Sequence, residues 1–124
     1  MTRNASGEAG QLTPLHWVGI GAALVTAGVH FFLGAQDLDG LFGISFLFAG
    51  IGFLAGIAAI VVGWRRRLVY LLGVPFTAGQ IVLWLALNQP IPPISAPEAV
   101  DKVAQVVLVA VLVVLLYREG LPGR

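Results

Sequence analysis

Four long apolar stretches alternate with short polar ones along this chain. Residues 9–36, 40–64, 68–97 and 103–117 hold no Lys, Arg, Asp or Glu. About 20 apolar residues in a helix cross the roughly 30 Å hydrocarbon core of a bilayer. The pattern therefore predicts four transmembrane helices rather than half-exposed helices or strands. Thr13 suits an N-cap and Pro14 the first helical position, where a missing N–H costs nothing, so the first span is read as 14–34. After a turn at residues 36–40, the second span covers 41–63 and stops at Trp64-Arg65-Arg66-Arg67. The third covers 68–87, with Pro75 expected to kink it.

Residues 88–97 carry Pro90, Pro92, Pro93 and Pro97, which predicts an extended loop. Ser95 and Glu98 have capping-box spacing, so the fourth helix is expected from about Ala96, with its span at 99–117. Its uncharged part, 103–117, is short, which places Asp101 and Lys102 in the headgroup region. Asp37 and Asp39 read as a solvated turn, with Asp39 capping the second helix. The fold expected is all-α: one integral membrane four-helix bundle over 14–118, with a polar terminus 1–13 and a tail 119–124.

Composition narrows the functional classes. Only 10% of residues are charged, against about 25% in a soluble domain, which excludes soluble enzymes, nucleic-acid-binding modules and disordered chains. Zero Cys excludes disulfides, thiol catalysis and iron–sulfur clusters. The basic residues also give a direction. With four spans, Arg3, Arg65, Arg66, Arg67, Arg118 and Arg124 share one side and Lys102 stands alone on the other. The positive-inside rule then puts both termini in the cytoplasm. A cleaved signal peptide is the competing reading. The first apolar run is longer than a typical signal core and follows 13 mostly polar residues, so a retained span is expected.

Small residues predict where helices approach closely. Gly19, Ala23 and Ala27 form a stripe on the first span, and Gly52 and Gly56 form GxxxG on the second. The second motif fits either homodimerisation or packing inside one bundle. The first two spans are expected at the bundle centre, and the Val/Leu-rich fourth in contact with lipid. Arg65, Arg66 and Arg67 set topology or meet anionic lipid. Trp17, Trp64, Trp84, Tyr70 and Tyr117 read as interfacial aromatic belts.

The polar residues inside the apolar spans are the candidate chemistry. His30, Ser45, Gln80 and Gln105 fall at a similar depth near the outer side, one per helix, with Thr26 and Thr77 about one turn below His30 and Gln80. They predict either an outward polar pocket centred on His30 or an interhelical hydrogen-bond network. The spans show no carboxylate within the hydrocarbon, which argues against a proton-coupled exporter of the small multidrug type. The small fluoride channels share the size but not the polar motifs. A second arrangement is the pair His16 and His30, fourteen residues apart on one helix and within about 40° of one line. That spacing suits two stacked haem b groups, completed only by a homodimer or a His-bearing partner.

The stretches TPLHWVGIGAALVTAGVHFFLG, GISFLFAGIGFLAG and RRRLVYLLGVPFTAGQIVLW resemble small four-span membrane proteins of halophilic archaea, over about residues 12–88. In size and span count the chain also looks similar to DoxX-type four-helix proteins. Neither resemblance implies an activity. The expectation is a multi-pass protein of the cell membrane, without catalytic activity, surrounded by lipid and acting as a homo-oligomer or a subunit of a larger membrane complex. Its site is expected around His30; a haem b electron carrier and a transporter or channel protomer are the alternatives.

Overall fold

The computed structural model describes residues 11–87 and 94–120. The expectations for Arg3, Arg124, Pro90, Pro92 and Pro93 lie outside the described residues. Four helices follow in order: α1 (Pro14–Ala35), α2 (Leu41–Val62), α3 (Arg66–Leu87) and α4 (Ala96–Glu119). The described residues are otherwise turns and caps, with no strand among them. All four helices are long and apolar enough to cross a membrane, so the chain is a helical bundle of four candidate membrane spans. It exposes Trp, Phe, Leu, Ile and Val residues along all four helices, as expected of a surface that meets lipid rather than water.

Local chemistry sets the ends. Thr13 caps α1, and His16 takes the place of the usual Glu in the capping box: Thr13 Oγ1 accepts from the His16 N–H, and the Thr13 N–H donates to the His16 ring. Ser95 and Glu98 form the corresponding box at α4. Between α1 and α2 the N-cap is Gly40, with no side-chain cap. This corrects the expectation that Asp39 caps α2. The turn is tight because Gly43 lies against the Asp37 carbonyl, where any Cβ would collide with backbone. α2 ends at Gly63 in the left-handed conformation (φ 78°), which glycine adopts without a Cβ clash. α3 runs unbroken through Pro75.

The packing departs from the expected arrangement in one respect. α1 packs on both α2 and α4, α4 packs on α3, and α2 touches α3 lightly. In its most apolar stretch α4 is 39% buried against 17% for α2. So α1 and α4 form the centre, and the expectation of a central α2 and a lipid-facing α4 is corrected. The reason lies in one stripe of α4. Asp101, Ala104, Gln105, Leu108, Val111, Leu112 and Leu115 recur at three- and four-residue intervals and all turn inward. Gly19 of α1 receives Val111 on this face, 3.0 Å from where a Cβ would sit. Gly52 of α2 faces the Phe76 ring of α3, and Gly56 faces Val69. The GxxxG pair is therefore spent inside the bundle.

Candidate functional site

Two buried polar clusters sit at opposite ends of the bundle, each joining α1 to α4. The first surrounds His30. Thr26 donates its hydroxyl hydrogen to Asp101 Oδ1. His30 Nδ1 lies 2.7 Å from the Thr26 carbonyl and 3.5 Å from Asp101 Oδ1. A carbonyl only accepts, so Nδ1 carries the hydrogen and, in the neutral ring, Nε2 keeps the lone pair. The ring makes tilted contacts with Phe46 and Phe53, with centroids at 5.1 and 5.6 Å. Lys102 Nζ donates to Asp101 Oδ2 at 2.8 Å and to Gln105 Oε1 at 2.9 Å, and lies over the Trp84 ring. Gln105 Nε2 donates to Gln80 Oε1 at 2.9 Å, and Gln80 Nε2 to the Phe76 carbonyl at 3.0 Å. The network thus runs continuously from α1 through α4 to α3.

Four of the six residues predicted for this site are brought together: Thr26, His30, Gln80 and Gln105. Ser45 is not among them. It is exposed, and its hydroxyl donates to the Leu41 carbonyl of its own helix. The even spacing that placed it beside His30 gave its depth but not its face. Thr77 is 1% exposed and faces the space between the two clusters. Two members were missed. Asp101 is 4% exposed and Lys102 bonds it, so both belong to the buried network. The bundle interior does hold a carboxylate. The signal was available: Asp101 and Gln105 are one turn apart on the stripe that continues through Leu108, Leu112 and Leu115.

The second cluster surrounds His16. The Thr13 N–H donates to His16 Nδ1 at 3.1 Å, so Nδ1 is the acceptor and Nε2 bears the hydrogen. Nε2–H donates to Tyr70 Oη at 2.9 Å, and the Tyr70 hydroxyl donates to Glu119 Oε2 at 3.1 Å. The same Glu119 oxygen is 3.5 Å from His16 Nε2. Tyr70 is fully buried, which corrects its assignment to the aromatic belt; Trp17, Trp64 and Tyr117 remain exposed. Arg66 is buried too, and its Nε donates to the Ile60 carbonyl at the end of α2. It therefore acts as an internal cap, whereas Arg65 lies outside over the Trp64 ring at 5.7 Å.

The geometry does not suit the two histidines to haem. A haem ligand presents a free nitrogen lone pair to the iron. In His16 one nitrogen is held by the α1 cap and the other by Tyr70. His30 keeps a free Nε2, its Nδ1 being held by the Thr26 carbonyl, so it is His16 that breaks the paired arrangement. Among the described residues no group of three or more His, Asp or Glu is arranged to hold a metal ion.

Between the clusters lies a cavity of about 90 Å³. Its walls are apolar, with Gly19, Ala23, Gly56, Gly73 and Leu112 among them, and it draws on all four helices. His16 and Tyr70 line it, as does Phe53, whose ring is tilted against that of His30. Small residues on α1, α2 and α3 line this space.

No curated protein and no solved structure matches the chain. One family model does, over residues 4–117, and its description is Family of unknown function (DUF7475). A match of that extent, covering α1 to α3, all but the last turn of α4 and the whole His30 cluster, means that the chain belongs to this family.

Proposed function

We propose that the protein is a non-enzymatic subunit of the cell membrane, with both termini in the cytoplasm and an outer-leaflet polar site around His30 that takes up a small ion or hydrogen-bonding solute. The observation that carries this reading is the buried Asp101 carboxylate, shared by Thr26, His30 and Lys102. A charge inside an apolar bundle is costly and persists where it is paired. A network needed only for packing gains little from ionic members, because uncharged interhelical hydrogen bonds already supply about 0.6 kcal/mol each. The six-to-one split of basic residues supports the orientation. An oligomeric or accessory role is supported by the small volume of one bundle. It is supported also by the outer face of α1, where Gly21 and Gly28 have open space around them.

The absence of native Cys makes the test direct. Lys102→Cys and Arg65→Cys are placed singly in the chain and exposed to a membrane-impermeant maleimide on intact cells. Lys102→Cys is expected to label from outside and Arg65→Cys only after the membrane is opened. Labelling of Arg65→Cys on intact cells, with Lys102→Cys silent, would overturn both the orientation and the outer site.

A further inference from the structure

We propose that the central cavity is a binding site for a small neutral molecule dissolved in the bilayer, an alcohol or ketone whose oxygen pairs with the Thr77 hydroxyl. The site is separate from the His30 cluster and rests only on the bilayer location proposed above. The first observation is the hydroxyl itself. The Thr77 side chain is 1% exposed, lines the cavity, and makes no hydrogen bond among the described residues. Buried hydroxyls normally find a partner, and on a helix the carbonyl of the preceding turn is usually within reach. Ser45 and Gln80 make that bond in this bundle; Thr77 does not. Helical side chains lean toward the N-terminus of their helix, so Thr77 leans over Gly73, which has no side chain to cover it.

The second observation is that the other polar groups of the wall are already engaged. Among the lining residues these are His16 and Tyr70. Thr13 and Tyr70 take the two His16 ring nitrogens, and the Tyr70 hydroxyl bonds His16 and Glu119. The wall holds no Lys, Arg, Asp or Glu, so nothing there offsets the burial of an ion. A buried water needs about two to four polar partners, and Thr77 alone is free to serve as one. What fits is a molecule apolar over most of its surface, with one hydrogen-bonding oxygen.

The third observation is size and access. A cavity of about 150 Å³ takes up benzene, roughly 25 Å³ for each carbon. On that scale 90 Å³ suits about four heavy atoms, and the cavity is only partly enclosed, so a longer chain can trail out of it. Thr77 lies near the middle of α3 (Arg66–Leu87), about 15 Å from either end, so the ligand arrives from the hydrocarbon and not from water. α2 and α3 make the lightest contact of the neighbouring pairs, and entry is placed between them. On that side a Cβ at Gly52 or Gly73 would press on Phe76 or Leu112, at 2.7 or 2.9 Å. At Gly56 the nearest atom is Val69 Cγ1 at 3.9 Å, so the wall is unfilled there.

The test uses the full chain in lipid nanodiscs, irradiated with a diazirine analogue of 1-butanol, with the adducts located by mass spectrometry. Labelling is expected to saturate on wall residues such as Ile57, Val69 and Phe76. At equal concentration in the lipid, 1-butanol or 2-butanone should displace the label about fivefold better than n-pentane, which lacks the oxygen. Thr77→Val keeps the shape of the side chain and removes a hydroxyl that has no protein partner. Its stability is expected to hold or rise while labelling weakens about fivefold, the effect of one lost hydrogen bond; Thr77→Ser is expected to restore it. Gly56→Ala adds a methyl group to the wall without collision and should also reduce labelling. Labelling that never saturates and falls equally on the exposed Phe48 and Val82, or Thr77→Val labelling as wild type does, overturns the proposal. Release of the chain from cell membranes by alkaline carbonate removes the bilayer location and the site with it. Retention in the membrane without saturable labelling sinks the cavity site alone.

Discussion

Replacing Asp101 by Asn tests whether a charge is truly held inside the bundle. Asp101 is 4% exposed and bonds Thr26 through one oxygen and Lys102 through the other. The Asn amide keeps the volume and one acceptor, so packing is preserved while the charge is lost. Removing one partner of a buried ion pair costs about 3–5 kcal/mol when the remaining charge stays buried. Lys102 is less confined: its side chain is 18% exposed and reaches along the Trp84 ring, so it can extend toward the surface. The expected loss is therefore smaller, about 2–3 kcal/mol. Lys102→Met is expected to cost about 1–2 kcal/mol, since Thr26 and His30 still face the carboxylate. In Asp101→Asn/Lys102→Met no uncompensated charge remains, so the double variant should be more stable than the sum of the singles by about 1 kcal/mol or more. Reversible unfolding in mixed micelles, titrated with SDS and followed by circular dichroism, measures all four corners of this cycle. A cost below about 0.5 kcal/mol for Asp101→Asn, with additive singles, would refute the idea of a buried ionic network.

Tyr70→Phe leaves the His16 Nε2–H without its acceptor in a buried position, and about 1–2 kcal/mol is expected to be lost in the same unfolding assay. Gly43→Ala forces a methyl group into the Asp37 backbone. The α1–α2 turn must then shift, with an expected loss of about 2 kcal/mol and faster protease cleavage near residues 36–40. Ser45→Ala removes a hydroxyl that bonds only its own helix, so stability should change by less than about 0.5 kcal/mol.

The helices themselves were legible because hydropathy over twenty residues depends on composition, and Thr13, Pro14, Ser95 and Glu98 mark ends by chemistry local to a few residues. Depth was legible too, which is why Thr26, His30, Gln80 and Gln105 were found. Face was harder. On a helix apolar all round, an outward Val and an inward Leu look alike, so α4 passed for a lipid-facing helix. Ser45 was placed with His30 on depth alone. Asp101 lies near a span end in the sequence, which hides its place in the buried network. It stays inside because Thr26, His30 and Lys102 reach it from two helices. Tyr70 was read by its distance from a span end, although its hydroxyl is taken by His16, fifty-four residues earlier in the chain.

Apolar length thus decides that four helices form and that they suit a bilayer, since each segment answers that question alone. Which helices are central, which GxxxG face is used up, and which polar groups meet are decided only on assembly. Lipid offers no hydrophobic drive between helices, so their arrangement follows from where small residues permit approach and where polar groups find partners. Both depend on pairs of residues far apart in the chain. The two His–carboxylate clusters and the cavity between them arise at that level, and with them the chemistry open to this protein.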